Sequence, residues 1–83
     1  MEKEGRIAVI GIALNNREET AKKVNDILSS FGNIIVGRMG IPYKERGISI
    51  ISIIVDGSND EIGALTGKLG NINGIKVKVA LTY

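Results

Sequence analysis

The longest β-branched run of the chain is Ile48-Ser49-Ile50-Ile51-Ser52-Ile53-Ile54-Val55. Gly47 precedes the run and Asp56-Gly57 follows it, and a short apolar run between such turn residues is typical of a β-strand. Side chains alternate along a strand, so one face carries Ile51, Ile53 and Val55. The other face carries Ile48, Ile50, Ser52 and Ile54. A strand that is apolar on both faces belongs in the middle of a sheet and needs cover on both sides.

A second apolar strand and two amphipathic helices surround this one in the sequence. Residues 6–14 form a strand that is also apolar on both faces. A helix is predicted to begin after Asn16, because Asn16 and Glu19 have the spacing of a capping box. Its apolar stripe consists of Ala21, Val24, Ile27, Leu28 and Phe31. Ser58 and Glu61 repeat the spacing and begin a second helix. The stripe of that helix consists of Ile62, Leu65, Leu69 and Ile72.

Two weaker strand patterns complete the chain. Residues 34–40 contain Gly37 and Gly40, which favour an edge strand or a bulged strand. The connection at residues 41–47 then joins this strand to the long one as a hairpin. Residues 75–81 alternate between apolar residues and lysines over their first half, and outward lysines suit the edge of a sheet.

The order of these elements predicts an α+β fold of the ferredoxin-like βαββαβ type. Right-handed crossovers place both helices on one face of a four-stranded antiparallel sheet, with the first and third strands in the middle. We expect residues 1–83 to form one domain. The two helices cover only one face of the sheet, so the second face is left without cover inside the chain.

This uncovered face predicts self-association. We expect a homo-oligomer, a dimer or a tetramer, whose interface contains Ile48, Ile50 and Ile54, because burying several aliphatic side chains favours association. One of two sets of first-strand residues extends the interface. The sets are either Ala8, Ile10, Ile12 and Leu14 or Ile7, Val9 and Ala13.

The composition excludes several classes of site. The chain has no cysteine and no histidine, so thiolate or imidazole metal sites, iron–sulfur clusters and the usual general base are absent. We therefore expect no metal, no other cofactor and no enzyme activity. The net charge is +2, but the basic residues are scattered among acids, which predicts no direct binding to nucleic acid.

No segment of the sequence resembles a membrane span or a secretory signal. The apolar run at residues 7–14 is too short for either. We expect a cytoplasmic protein without membrane contact. Its Lys/Glu pairs and abundant isoleucine would suit a thermophile.

Two stretches of the sequence resemble a known family. They read GRMGIPYKERGISIISIIVDG, residues 37–57, and DEIGALTGKLG, residues 60–70. The chain resembles the iron-only hydrogenase system regulators, a family that is similar to ACT domains and to the C-terminal domain of the nickel-responsive regulator. The resemblance implies a single ACT-like regulatory domain that associates through its sheet and binds a small effector near a subunit boundary. The nickel regulator's sensor site is built from His and Cys, which this chain lacks, and its DNA-binding arm has no counterpart here, so neither role is carried over.

Three functions remain open at this point. The first is an effector-sensing, oligomeric regulatory module associated with an iron-only hydrogenase system. The second is an interaction subunit that binds no ligand and docks on a hydrogenase maturation or regulatory partner. The third, an enzyme, has little support because no catalytic spacing is recognisable in the sequence.

Candidate ligand contacts lie at two places. The loop containing Asn15, Asn16 and Arg17 joins the first strand to the first helix, where ACT-like domains tend to hold effectors. Asn16 could instead serve only as the helix N-cap, with Asn15 a turn residue. Because Glu18 and Glu19 follow this loop, we expect any ligand there to be neutral or zwitterionic.

The second place is the glycine pair Gly63 and Gly67 in the second helix. Each glycine costs about 1 kcal/mol relative to alanine inside a helix. They lie four residues apart, on the same side and away from the apolar stripe. A neighbouring subunit or an effector could approach closely there. Alternatively the helix is irregular, or it packs tightly on the edge of the sheet.

Overall fold

The computed structural model describes residues 5–83 and has the predicted order of elements. Residues 1–4 of the predicted domain lie outside the described residues. The elements are β1 (Arg6–Asn15), α1 (Glu18–Ser30), β2 (Ile35–Tyr43), β3 (Ile48–Gly57), α2 (Asn59–Gly70) and β4 (Ile75–Leu81). The sheet has the order β2-β3-β1-β4, and all neighbouring strands are antiparallel. The ferredoxin-like prediction is therefore confirmed, including the central position of the first and third strands.

The hydrophobic core lies between the two helices and one face of the sheet. On β3 that face carries Ile51, Ile53 and Val55, all of them buried. From β1 and the helices the core takes Ala8, Ile10, Ile12, Leu14, Val24, Leu28, Ile62, Leu65 and Leu69. This pattern decides between the two sets left open by the sequence. Ile7, Val9 and Ala13 lie on the other face, where Ala13 pairs with Ile50 and Val9 with Ile54.

The start of α2 agrees with the prediction. The amide of Glu61 donates to the Ser58 hydroxyl over 3.0 Å, and the amide of Ser58 donates to the Glu61 carboxylate over 2.8 Å. These two hydrogen bonds form the complete capping box.

The predicted capping box at the start of α1 is wrong. The N-cap of α1 is Arg17, whose side chain makes no capping hydrogen bond. The side-chain oxygen of Asn15 accepts a hydrogen bond from the Arg17 amide over 3.0 Å. Asn16 accepts instead from the hydroxyl of Ser49 on β3, over 3.2 Å. The long-range contact therefore replaces the local cap, and Asn15 takes the turn role.

Strand β2 is an edge strand with a bulge, as predicted. The register to β3 shifts between Ile35 and Gly37. The strand extends to Tyr43, beyond the predicted end at residue 40, because its last residues continue to pair with the start of β3. Pro42 can lie in such a strand because an edge strand has one side without hydrogen-bond partners. A short 3₁₀ turn (Lys44–Arg46) and Gly47, with φ at 67°, close the hairpin.

Neither helix of the described chain is long and apolar enough to cross a membrane.

Candidate functional site

A polar cavity lies where β1 meets α1, beside the loop between α2 and β4. Its volume is about 250 Å³. Its lining consists of Asn15, Arg17, Glu19, Thr20, Lys23, Ile72, Asn73 and Gly74. We call this hollow the polar cavity.

The backbone of two chain segments fixes one wall of the polar cavity. The amide of Asn15, at the end of β1, donates to the carbonyl of Gly74 over 3.1 Å. Gly74 has a φ of 89°, a conformation that favours glycine. A Cβ at this position would collide with the side-chain nitrogen of Asn15. Gly74 therefore leaves the space in which the Asn15 side chain reaches the Arg17 amide.

The charged groups of the polar cavity have both signs. Arg17 and Lys23 are cations, and Glu19 is an anion. Within residues 5–83 none of these three side chains forms an ion pair or a hydrogen bond. The cations can bind a carboxylate and the carboxylate of Glu19 can bind an ammonium group, so the cavity suits a small zwitterion.

The structure brings only part of the predicted ligand site together. Asn15 and Arg17 line the polar cavity, but Asn16 does not, because its side chain is hydrogen-bonded to Ser49. Glu19, Lys23 and the segment 72–74 were missed as lining residues. Segment 72–74 could have been predicted from the topology, because the antiparallel pairing of β4 with β1 brings the start of β4 beside the end of β1.

Gly63 and Gly67 lie on an exposed side of a continuous α2. A Cβ at either position would meet no atom within 4 Å. An irregular helix or tight packing inside the chain is therefore not the reason for these glycines. Contact with a neighbouring subunit or an effector stays a prediction.

The helix-free side of the sheet, which we call the open face, is rich in exposed apolar side chains. Five of them are between 38% and 65% exposed. They are Met39, Ile41, Tyr43, Ile50 and Ile54. Of the predicted interface residues, Ile50 and Ile54 belong to this group, and Ile48 lies half-buried on the same face. The register places Ile41 beside Ile50 and Tyr43 beside Ile48, so these side chains form one patch.

No group of three or more acidic side chains in residues 5–83 is arranged to hold a metal ion.

Comparisons with known proteins identify the fold and the family. The family model described as "TM1266-like: Iron-only hydrogenase system regulator, putative" matches residues 6–79. The chain is similar to the uncharacterized protein TM1266 from Thermotoga maritima, with 38% identity, 96% of this chain and 100% of that chain covered, and a TM-score of 0.94. No curated protein matches the sequence.

More distant structures share the fold alone. The ACT domain of GTP pyrophosphokinase from Chlorobium tepidum is 19% identical, with 92% of this chain and 99% of that chain covered, and a TM-score of 0.77. The C-terminal domain of the MgtC protein from Mycobacterium tuberculosis is 12% identical, with 99% and 94% covered and a TM-score of 0.72. The architecture is therefore ACT-like.

Proposed function

The chain belongs to the TM1266-like family of iron-only hydrogenase system regulators, and we propose that it is a non-catalytic regulatory module that works as a homo-oligomer and senses a small molecule. The observation that carries the proposal is the open face. A small domain that exposes a continuous apolar patch of this kind normally uses it to bind a partner.

A second copy of the chain covers the open face in this proposal. The five exposed side chains lie on adjacent strands β2 and β3, and Val9 and Ala13 on β1 extend the patch. Fully burying one large aliphatic side chain contributes about 1.5–3 kcal/mol. Five side chains that are already partly covered therefore offer several kcal/mol per subunit, which is enough to offset part of the entropy that association costs.

The polar cavity is the proposed place of the sensed molecule. Arg17 and Lys23 would hold a carboxylate, and Glu19 would hold an ammonium group, so a zwitterion satisfies all three side chains. Glu19 would repel a doubly charged anion such as phosphate, which is therefore a poor match for the polar cavity. Glu18 and Glu19 lie in the first turn of α1 and already compensate the partial positive charge of the helix N-terminus. They therefore strengthen the preference for a zwitterion over an anion.

Regulation in this proposal runs through protein contacts. In the described part of the chain both helices pack against the sheet, so neither is free to enter a DNA groove. In this proposal an effect on transcription runs through a second protein that carries a DNA-binding element.

Native mass spectrometry of the purified protein tests the proposal. We expect an oligomeric mass and a small retained molecule. Arg17→Gln should lose the retained molecule, since it removes a charge-assisted contact in the polar cavity. Lys22→Gln is the matched control, because Lys22 also lies on the surface of α1 but pairs with Asp26 over 3.1 Å. A molecule retained equally by both variants would place the binding elsewhere and contradict this part of the proposal.

The second candidate function is an interaction subunit that binds no small molecule and docks on a hydrogenase maturation or regulatory partner. The same open face favours it, since an apolar patch can also bind a different protein. A monomeric mass with nothing retained would support this function against the first one.

A further inference from the structure

A second cavity lies at the end of the open face, where β1 ends and β3 and β4 begin. Its volume is about 530 Å³, which is within the roughly 300–1,000 Å³ usual for small-molecule sites. Ala13 and Ile48 supply its apolar surface on the open face, and Arg46 and Lys76 supply two positive charges. We call it the end cavity.

The sheet register explains why a hollow forms there. Ala13 on β1 pairs with Lys76 on β4, and Asn15, the next residue on the same face of β1, pairs with Ile48 on β3. The methyl group of Ala13 is much shorter than the side chains on both sides of it. The floor over β1 is therefore recessed between two higher walls. One wall is aliphatic and the other carries a cation.

The charges of the end cavity are not balanced by the chain. Arg46 comes from the hairpin that leads into β3, and Lys76 comes from β4, so the two cations flank the end of β1. No acidic residue lines the cavity. Within residues 5–83 neither cation forms an ion pair or a side-chain hydrogen bond. Two free cations beside an aliphatic surface select an anion that also has a hydrocarbon part.

We propose that the end cavity binds a small organic carboxylate with an aliphatic body. The carboxylate accepts hydrogen bonds from Arg46, whose guanidinium can engage both oxygens, and from Lys76. The aliphatic body lies against Ile48 and Ala13 and is removed from water there.

The end cavity and the polar cavity select different ligands although they share Asn15 and Gly74 as walls. Glu19 lines only the polar cavity, where it would repel an aliphatic acid. The end cavity lacks an acidic group that could bind an ammonium ion. This proposal does not depend on the polar cavity, because its charged contacts are Arg46 and Lys76, but it shares Ala13 and Ile48 with the open face.

Titration of the full chain with hexanoate, followed by amide ¹H–¹⁵N spectra, tests the proposal. We expect hexanoate at millimolar concentration to shift the amides around Ala13, Ile48 and Lys76. Hexylammonium tests the sign of the charge and inorganic phosphate tests the need for the hydrocarbon part, and neither should reproduce these shifts. If phosphate reproduces them, the aliphatic body is irrelevant and the assignment to this ligand class is overturned.

Two double variants of equal net charge give the control. Arg46→Gln with Lys76→Gln should weaken hexanoate binding about tenfold or more, because a hydrogen bond to a charged group contributes roughly that factor. Lys44→Gln with Lys68→Gln removes the same charge from exposed residues that do not line the end cavity and should leave binding unchanged. The proposal is overturned if hexanoate produces no shifts, or if both double variants bind it equally.

Discussion

The two faces of β3 carry nearly the same residues but have different surroundings. Ile53 is fully buried under the helices, whereas its neighbour Ile54 is 44% exposed on the open face. Hydrophobicity alone therefore does not distinguish the two faces. The difference arises because the two helices of the chain cover one face of the four-stranded sheet and leave the other without cover inside the chain.

The pair Ile53 and Ile54 provides the largest expected contrast. Ile53→Ala should lower the free energy of unfolding by about 2–5 kcal/mol, since it opens a cavity in the core. Ile54→Ala should cost much less in the isolated chain, and its cost should grow with protein concentration if a second copy covers it. Urea denaturation at two protein concentrations measures both effects. Equal and concentration-independent losses in the two variants would mean that the faces do not differ in this way.

Gly74→Ala tests the wall that the polar cavity and the end cavity share at the end of the sheet. We expect a loss of about 1–3 kcal/mol, because alanine is strained at a φ of 89° and its Cβ collides with Asn15. Gly70→Ala is the control, since its Cβ would meet open space. Thermal unfolding of both variants measures the difference. A neutral Gly74→Ala would show that neither the positive φ nor the contact with Asn15 constrains this position.

Gly63→Ala tests whether the glycine side of α2 is a contact surface in the proposed oligomer. In the isolated chain this change should stabilise α2 by up to about 1 kcal/mol, because alanine has the higher helix propensity and the added methyl group meets nothing within 4 Å. Thermal unfolding together with native mass spectrometry checks both stability and assembly. Loss of assembly with retained stability would identify the glycine side of α2 as a second contact surface.

The fold could be predicted from the sequence because its signals are local and repeat. The β-branched run of β3 between turn residues, the helical stripes and the capping box at Ser58 each predict an element without knowledge of the others. Asn16 failed as a predicted cap because Ser49, which is 33 residues away, offers it a hydrogen bond across the fold. A local rule contains no information about such a contact.

The candidate sites were less predictable than the fold. Asn15 and Arg17 could be predicted as candidates because they occupy a junction between elements, and both line the polar cavity. Lys23 could not be assigned to the same site from the sequence, because it lines the cavity only through the position of α1 beside the α2–β4 loop. The end cavity needs the register of three strands, since Ala13 is recessed only in relation to the residues paired with it. Lys76 was interpreted as a feature of the sheet edge, and its place in a cavity follows from that register.

Sedimentation velocity of the wild type, Ile50→Lys and Leu81→Lys tests the central claim that a second copy covers the open face. Leu81 is the matched control, since it is 53% exposed but pairs with the buried Ala8 and so lies on the helix side of the sheet. We expect the wild type and Leu81→Lys to sediment as oligomers at tens of micromolar, and Ile50→Lys to sediment as a folded monomer because its charge would be buried in the interface. A monomeric wild type, or an Ile50→Lys variant that assembles like the wild type, would contradict the account.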